Sequence, residues 1–429
     1  MPTPPSGRSP LRSRAAGALV RRISWGLGDQ AVSSLTNFAI GVVVARSLGG
    51  EEFGVFTLAW VTYTMALNLA RGLASDPLTV RFSDVSHASW QDAVRQAGST
   101  ALLTGGVTGA LALVGGVAFG GPIGTAFVVL GFLLPPLMLQ DCWRFAFFAA
   151  GRGGHALVND LVWAAALVPA MLYASEHRSV SAYILAWGLS GTVAAAVGFV
   201  QARLLPKPGG TRAWLRQHRD LGVRFTAENL STNASGQLRM YGVGAIAGLV
   251  EVGTIRGAEL LVGPFLALLM GMNLVAVPEA ARVLRRAPHR LSRFCLYLGG
   301  GQALAALAWG AGLLLLLPDE VGVRLLGSVW EPASALILPA TLSVASAGFA
   351  SGGAAGLRAL GAARRSLRAQ LVTSAAYLIG GLGGAAVGGA LGSSWGVAAA
   401  TLIGAVVRWA YLLAAVREIA PSPITQASR

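Results

Sequence analysis

Charged residues are scarce in this chain of 429 residues. Asp, Glu, Lys and Arg make up 12% of it, whereas 54% is apolar; an ordinary soluble domain carries roughly 25% charged residues. A soluble protein of this size could not cover so much apolar surface with so few charges. The composition therefore excludes a soluble enzyme, a disordered chain and a coiled coil, and it indicates an integral membrane protein.

Motifs for catalysis and metal binding are also missing. The single lysine, Lys207, lies between two prolines, so no G-x-x-x-x-G-K-[ST] phosphate loop is present, and there is no H-E-x-x-H motif. Cys142 and Cys295 lack the spacing of metal ligands. We therefore expect no catalytic residues, no metal site, no cofactor and no enzymatic activity. Transport energy would come from a substrate gradient, the membrane potential or an ion gradient.

Long apolar runs predict twelve membrane-spanning helices, since a span needs about 20 mostly apolar residues. The predicted fold is an all-α polytopic membrane protein of about twelve helices. The predicted spans are 23–46, 52–73, 97–119, 123–149, 156–175, 180–203, 222–248, 252–278, 294–317, 332–357, 368–390 and 394–416.

Positive charge alternates between the loops. The net charge of +15 suggests nucleic acid, but the basic residues form short clusters between spans and not one basic stripe. Five fall in the amino tail, six in 203–224, five in 282–293 and four in 358–368, while loops 119–123 and 391–394 carry none. The positive-inside rule then places both termini in the cytoplasm of a multi-pass inner-membrane protein. We expect contact with membrane lipids and none with nucleic acid.

An internal repeat is indicated when the chain is shifted by 199 residues. Asp29-Gln30 then falls on Glu228-Asn229, and Gly54 falls on Gly253. Two six-helix halves of equal orientation, with a substrate site between them, would follow. The predicted organisation is a basic tail 1–21, a first bundle 22–203, a cytoplasmic linker 204–221, a second bundle 222–416 and a cytoplasmic tail 417–429, with a central cavity between the bundles.

Several stretches resemble one transporter family. These stretches are Trp25-x-x-x-Asp29-Gln30-x-x-x-Ser34-x-x-Asn37, Ala45-Arg46-x-Leu48-Gly49, Glu52-Phe53-Gly54, Arg71-Gly72-Leu73…Asp76-Pro77 and Asp141-x-x-Arg144…Phe148…Gly151-Arg152. They resemble the polysaccharide and O-antigen flippases of the multidrug/oligosaccharidyl-lipid/polysaccharide exporter superfamily. The resemblance implies alternating-access transport of an anionic, polyprenyl-diphosphate-linked glycan across the bacterial inner membrane. A polysaccharide polymerase and glycosyltransferases would be partners. Twelve spans argue against the lipid II branch, whose members usually have two more helices.

Inserting a charged side chain into a membrane span costs at least ~2.5 kcal/mol of free energy on insertion scales. Each charged residue inside a predicted span therefore calls for a structural or a functional explanation. Asp29 and Glu228 fall one to two turns into their predicted helices. They can be acids favoured by the helix amino terminus, or solvated carboxylates at the membrane interface. Alternatively, with Gln30, Asn229 and Glu259, they form a coupling or gating site.

Arginines within the spans are candidates for substrate binding. Arg239 falls in the middle of the seventh span, too deep to reach water easily. A planar guanidinium binds phosphate oxygens in pairs, so Arg239, with Arg256 and Arg71, is predicted to bind a diphosphate. The alternatives stay open: Arg239 can pair with a buried acid such as Glu228 or Asp29. Arg256 and Glu259 can neutralise each other at i,i+3.

Three rival functions remain to be distinguished. A cation-coupled multidrug exporter of the same superfamily would need acids deep in one half, where this sequence predicts only shallow ones. A major-facilitator transporter would carry Gly-x-x-x-Asp-Arg-x-Gly-Arg-Arg after its second helix, which is absent here. A membrane glycosyltransferase would need a large outside loop, and the longest predicted one is 318–331.

The alternating charge yields a topology prediction. Reporter fusions at Gly209 and Ala362 should report the cytoplasm, because basic loops are retained there. Fusions at Gly121, Asp319 and Ser393 should report the outside. A reporter at Gly209 that responds as an outside fusion would contradict both the orientation and the twelve-span arrangement.

Overall fold

The computed structural model describes residues 10–83 and 85–419, and in this part of the chain the regular structure is helical without a strand. Residues 1–9 of the predicted basic tail and 420–429 of the predicted carboxyl tail lie outside the described residues. The helices are α1 Pro10–Ser47, α2 Gly50–Ala70, α3 Asp76–Phe82, α4 His87–Phe119, α5 Gly121–Ala149, α6 Gly153–His177, α7 Val180–Ala202, α8 Gly210–Gln217, α9 Arg219–Ile246, α10 Leu249–Arg286, α11 Leu291–Leu316, α12 Asp319–Leu326, α13 Trp330–Ser334, α14 Ile337–Ala359 and α15 Ala363–Ile419.

Each of the twelve predicted spans lies in helix apart from at most a few residues, but α1, α4 and α10 extend well beyond the predicted 23–46, 97–119 and 252–278. The tenth predicted span, 332–357, is interrupted between α13 and α14. Eight helices of the described residues are long and apolar enough to cross a membrane. One of them runs from Ala363 to Glu418 and contains both of the last two predicted spans. The all-α, polytopic fold is therefore confirmed. The long helices α1, α9 and α10 are not among the eight, and they are the ones that carry Asp29, Arg239 and Glu259.

The last long helix bends at a pair of glycines. Gly389 has φ +57°, a left-handed conformation that favours glycine because it has no Cβ. Just after the bend, the backbone N–H of Ala390 donates to Oε2 of Glu251 at 2.5 Å, so a carboxylate from α10 caps the second segment. The predicted turn at 391–394 therefore takes the form of a capped kink at Gly388–Gly389.

A proline shapes the end of the second span. Helix α2 continues through a π-helical turn, Arg71–Ser75, directly into α3. Pro77 has no N–H, so it cannot bond the carbonyl of Leu73, four residues earlier. The indole Nε1–H of Trp214 in α8 donates to that carbonyl instead, at 2.9 Å. The proline thus creates the acceptor that holds the linker helix.

The chain forms two compact units. The first contains residues up to 40 and 59–232, and the second contains 41–58 and the residues from 233 onward. The predicted linker 204–221 belongs to the first unit, and the divisions fall within α1, α2 and α9. The six-helix repeat stays a prediction.

Within the first unit, α4 and α5 approach through small residues. A Cβ on Gly105 would lie 2.6 Å from the Cα of Pro135, and one on Gly131 would lie 2.7 Å from the carbonyl oxygen of Gly109. In lipid the hydrophobic effect does not drive helices together, so close backbone packing of this kind stabilises their association instead. In the second unit, α14 packs against α10, α11 and α15.

This contact can be tested by adding one methyl group. Gly105→Ala should lower the free energy of unfolding by about 1–3 kcal/mol, because the backbone of α5 has to move. Gly106→Ala is the matched control, since a Cβ there meets nothing within 4 Å. Thermal unfolding of the purified protein in detergent would measure both. Equal midpoints for the two variants would contradict the close approach.

Candidate functional site

Five charged side chains meet inside the first unit, and we call them the five-charge cluster. Asp29 comes from α1, Arg71 from the π-helical turn, Asp141 and Arg144 from α5, and Asp160 from α6. The three carboxylates are at most 5% exposed, and the side chain of Arg144 is 12% exposed. These charges are buried where water cannot screen them, so each depends on its neighbours.

Two arginines bind the three acids. Arg71 makes a bidentate pair with Asp141, with Nε–Oδ2 at 2.9 Å and Nη2–Oδ1 at 2.7 Å. Arg144 Nη2 donates to Asp29 Oδ2 at 2.5 Å, and its Nη1 lies 3.5 Å from Asp141 Oδ1. Its Nε lies 3.1 Å from Asp160 Oδ1, an ion-pair distance without hydrogen-bond geometry. Arg144 thus joins three carboxylates from three helices.

Neutral amides support the cluster from α5 and α6. Gln140 Nε2 lies 3.1 Å from both Asp160 Oδ1 and Asn159 Oδ1. Asn159 in turn donates to the carbonyl of Ala194 at 2.8 Å and to Gln201 Oε1 at 3.1 Å. The hydrogen bonds therefore extend from the charges to α7, which fixes the side chains that surround Asp160.

The five-charge cluster carries one carboxylate more than it carries guanidinium groups. With every group ionised, its formal charge is −1. The Oδ1 atom of Asp29 is buried and has no hydrogen-bond partner. Binding of one proton or one cation would balance the cluster, so its chemistry is suited to cation uptake.

The position predicted for Asp29 is wrong. Helix α1 begins at Pro10, so Asp29 lies far inside the helix and not in its first two turns. Asp29 is 2% exposed, and its stabilising partner is Arg144, so the helix amino terminus does not explain the acid. The local pair expected between Asp141 and Arg144 exists, but it is part of a larger set.

Asp160 is not among the site residues predicted from the sequence. A signal was available, because Asp160 is a carboxylate within the apolar run 156–175, and such residues need a partner. Arg71, predicted to bind substrate, lies beside Asp141 and also stacks over the ring of Phe145 at 5.2 Å. Its charge is therefore already matched by a carboxylate.

A second set, the three-charge cluster, lies in the second unit. Arg239 Nη2 donates to Glu259 Oε1 at 2.9 Å, and Arg256 Nη1 lies 3.3 Å from Glu259 Oε2. The guanidinium of Arg239 also lies 5.3 Å from the ring centre of Tyr377. Arg239 is 4% exposed, whereas the side chains of Arg256 and Glu259 are 27% and 33% exposed. One carboxylate holds two arginines, so the formal charge is +1.

The three-charge cluster brings Arg239 and Arg256, both predicted to bind substrate, together with Glu259, which was predicted for the coupling or gating site. The acid that pairs with Arg239 is Glu259, neither Glu228 nor Asp29. The Nε of Arg239 is buried without a hydrogen-bond partner. A buried N–H of this kind has an unused capacity to donate to an oxygen acceptor.

The remaining predicted site residues lie elsewhere in the first unit. Gln30 is exposed, and its Nε2 donates to Ser34 Oγ at 3.1 Å. Glu228 is exposed, unlike its repeat mate Asp29. Asn229 Nδ2 donates to Asp76 Oδ2 at 2.8 Å, which connects α9 to the start of α3. The repeat mates Asp29-Gln30 and Glu228-Asn229 therefore have different surroundings.

Comparison with known proteins identifies the fold. No protein-family model matches the chain, and no curated protein sequence matches it. Among solved structures, an inward-facing multidrug resistance MATE family transporter of the MOP superfamily is similar, with a TM-score of 0.68, 15% identity and coverage of 91% of this chain and 96% of that one.

Two further structures of the same superfamily are similar. The lipid II flippase MurJ in an inward closed conformation gives a TM-score of 0.62 at 12% identity, over 91% of this chain and 87% of that one. A MOP superfamily transporter from Pyrococcus furiosus gives 0.53 at 15% identity, over 93% and 95%. The chain therefore has the fold of the MOP superfamily transporters.

The five-charge cluster predicts a specific folding defect. Arg144→Gln should lower the free energy of unfolding by about 3–5 kcal/mol, because it leaves Asp29 and Asp160 buried without their cation. Adding Asp160→Asn should recover part of the loss by removing one orphaned charge. The measurement is the fraction of detergent-solubilised protein that stays monodisperse after heating.

Arg95→Gln provides the matched control, since Arg95 is an exposed arginine of the same unit. It should behave like the parent protein. If Arg144→Gln is as stable as Arg95→Gln, then Arg144 does not hold the acids together.

Proposed function

We propose that this protein is an inner-membrane flippase that carries a polyprenyl-diphosphate-linked oligosaccharide or polysaccharide precursor across the membrane by alternating access. The observation that carries the proposal is the three-charge cluster, in which Arg239 and Arg256 share one carboxylate within an apolar bundle. The fold, shared with a lipid II flippase, supports transport as the activity. The chain would therefore act as a transporter and not as an enzyme.

The cluster has the charge and the geometry for a diphosphate. A phosphate oxygen that displaces Glu259 would meet two guanidinium forks, each of which binds oxygens in pairs and stays charged when partly buried. The unpartnered Nε–H of Arg239 supplies a further donor. Tyr377, against the guanidinium of Arg239, limits the orientations of that group. Glu259 then serves as the gate that holds the arginines until the substrate arrives.

The five-charge cluster is suited to energy coupling. Its excess carboxylate can bind and release one proton or cation, and this would change how tightly Arg144 holds α1 to α6. Asp29 is the coupling residue in this proposal. Gln30, Glu228 and Asn229 are proposed to assist in gating, since Asn229 ties α9 to Asp76 beside Arg71. Arg71 would bind substrate after release from Asp141.

A cation-coupled multidrug exporter is the second candidate. The observation that favours it is the buried acid excess of the five-charge cluster, together with the similarity to a multidrug resistance transporter. Shallow acids were expected from the sequence, which counted against this candidate, but Asp29 is 2% exposed and lies far inside α1. The two candidates differ in which cluster receives the substrate: the positive one for a diphosphate, the negative one for a cationic drug.

The proposed location is the bacterial cytoplasmic membrane, with both termini in the cytoplasm. Glycosyltransferases that build the lipid-linked glycan and a polymerase that consumes it would be the partners. The anionic lipid-linked glycan and the surrounding membrane lipids would be its molecular ligands.

Arg239 provides the test of the proposal. In proteoliposomes, Arg239→Ala should abolish translocation of a fluorescent polyprenyl-diphosphate-linked sugar, measured by protection from an added quencher. Arg239→Lys should recover only part of the rate, at least about tenfold below the parent, because a point charge lacks the bidentate fork. Arg256→Ala should have a smaller effect. Protein yield should persist in Arg239→Ala, since Glu259 keeps Arg256 as its partner.

The control variant is Arg365→Ala, which breaks an exposed ion pair with Glu418 in the same unit. It should translocate normally. Normal translocation by a well-folded Arg239→Ala protein would remove Arg239 from the mechanism. If Arg239→Ala instead loses folded protein and Glu259→Gln restores it, the arginine is structural. Transport of a cationic dye that is lost in Asp29→Asn and kept in Arg239→Ala would favour the drug exporter.

A further inference from the structure

The stem of Arg239 packs directly against a glycine of α15. A Cβ added to Gly381 would lie 2.8 Å from Cδ of Arg239 and 3.1 Å from its Cγ. Carbon atoms in contact prefer roughly 3.5–4.0 Å, so the arginine occupies the space that a side chain at position 381 would need. Gly381 is buried, in the part of α15 before the kink at Gly388–Gly389. The missing side chain of Gly381 is therefore what admits the arginine.

The same two helices interlock at a second point close by. A Cβ on Gly242 of α9 would overlap Cδ2 of Leu382 in α15. Each helix thus contributes one glycine and one side chain: Arg239 fits against Gly381, and Leu382 fits against Gly242. Neither glycine has a positive φ, so close packing and not backbone conformation makes a glycine necessary here. The register of α9 against α15 is fixed at two neighbouring points.

Helix α15 has little room to move away from Arg239. Its two segments pack against each other, since a Cβ on Gly380 would lie 2.6 Å from the carbonyl oxygen of Gly396. A Cβ on Gly381 would also lie 3.4 Å from Cγ2 of Val397 in the second segment. An added methyl group at position 381 would therefore displace the flexible arginine and not the helix.

The head of Arg239 is held by two further groups. Its Nη2 donates to Glu259 Oε1 at 2.9 Å, and the guanidinium lies 5.3 Å from the ring centre of Tyr377. Tyr377 precedes Gly381 by four residues, so both lie on the same face of α15. One face of α15 therefore contacts Arg239 at its stem and at its head.

Arg256, the second arginine of the three-charge cluster, is held more loosely. Its Nη1 lies 3.3 Å from Glu259 Oε2, and its side chain is 27% exposed, compared with 4% for Arg239. A more exposed side chain keeps more rotamer freedom. The two arginines thus differ, because Arg239 has a fixed position whereas Arg256 can follow a ligand.

We propose that Gly381 and Tyr377 are positioning residues for Arg239, which keep its guanidinium in one place so that the diphosphate of the substrate meets a prearranged fork. The identity of the ligand rests on the proposed function, whereas the packing of Arg239 against Gly381 does not. A prearranged fork binds phosphate oxygens more tightly, since less side-chain freedom is lost on binding. Displacing the fork should therefore weaken substrate binding and leave the transport of bound substrate unchanged.

The first test is the concentration dependence of translocation in proteoliposomes, with the fluorescent polyprenyl-diphosphate-linked sugar. Gly381→Ala should raise the half-maximal concentration roughly tenfold and keep the maximal rate within about twofold, because a fork displaced by a fraction of an ångström is misaligned. Gly383→Ala is the matched control, since a Cβ there meets nothing within 4 Å on the same helix. The control should have the half-maximal concentration of the parent.

Two substitutions of Tyr377 test the ring contact. Tyr377→Leu keeps an apolar side chain but has no ring face for the guanidinium, so it should raise the half-maximal concentration. Tyr377→Phe keeps the ring face and should raise the half-maximal concentration much less. Equal effects of the two substitutions would remove the ring of Tyr377 from the positioning of Arg239.

A double-mutant cycle tests the packing without any substrate. Gly381→Ala should lower the midpoint of thermal unfolding in the parent background, because the methyl group pushes Arg239 away from Glu259. In the Arg239→Ala background the same methyl group would meet Val397 at 3.4 Å, an ordinary contact, so its effect should fall to that of Gly383→Ala. Equal effects of Gly381→Ala in both backgrounds would overturn the placement of Arg239 against Gly381.

The two experiments separate failure of this inference from failure of the proposed function. If Arg239→Ala abolishes translocation but Gly381→Ala keeps the parental half-maximal concentration, the proposed function stands and the positioning role is wrong. If Gly381→Ala lowers only the maximal rate, in proportion to lost folded protein, the glycine is merely structural. If the cycle shows coupling but Arg239→Ala translocates normally, Gly381 positions the arginine and the proposed substrate site is wrong.

Discussion

An ionised side chain inside an apolar bundle needs a partner of opposite charge, and Arg144 meets that requirement for three carboxylates at once. It pairs with Asp29 from α1, Asp141 from its own helix and Asp160 from α6. Because hydrocarbon offers no water to the acids, these helices cannot separate without leaving a charge unmatched. The packing of small residues between α4 and α5 adds contact, but the ion pairs specify which helices must stay together.

A feature can be predicted from the sequence when it depends on neighbouring residues, and not when it depends on contacts between residues far apart in the chain. Spans depend on local runs of apolar residues, so the existence and order of the helices were predictable, whereas the ends of α1, α4 and α10 were not. Partners of buried charges depend on tertiary contacts far apart in sequence, such as Arg144 with Asp29 and Asp160. Arg239 was recognised as a charged residue inside a predicted span, but its partner, Glu259, was not predicted because it lies on the next helix. A charge in a span can thus be recognised from the sequence, whereas its partner cannot.

The two clusters have formal charges of opposite sign. The five-charge cluster has three carboxylates for two guanidinium groups, and the three-charge cluster has the reverse imbalance. In the predicted repeat, a shift of 199 residues aligns Ile40, which is 2% exposed, with Arg239 and Thr57 with Arg256. An apolar or hydroxyl side chain at one copy and a guanidinium at the other means that any common ancestry of the halves preserved packing and not chemistry. The charged positions are therefore the places where function is to be sought.

The missing N–H of Pro77 affects how the linker helix is held. Pro77 removes one N–H, which leaves the carbonyl of Leu73 for Trp214, and the indole then lies against His218. Arg81 fixes the tautomer of that imidazole by donating to Nδ1, so the proton of the neutral ring is on Nε2, which is buried. The same proline thus contributes to holding the linker helix against the end of the second span.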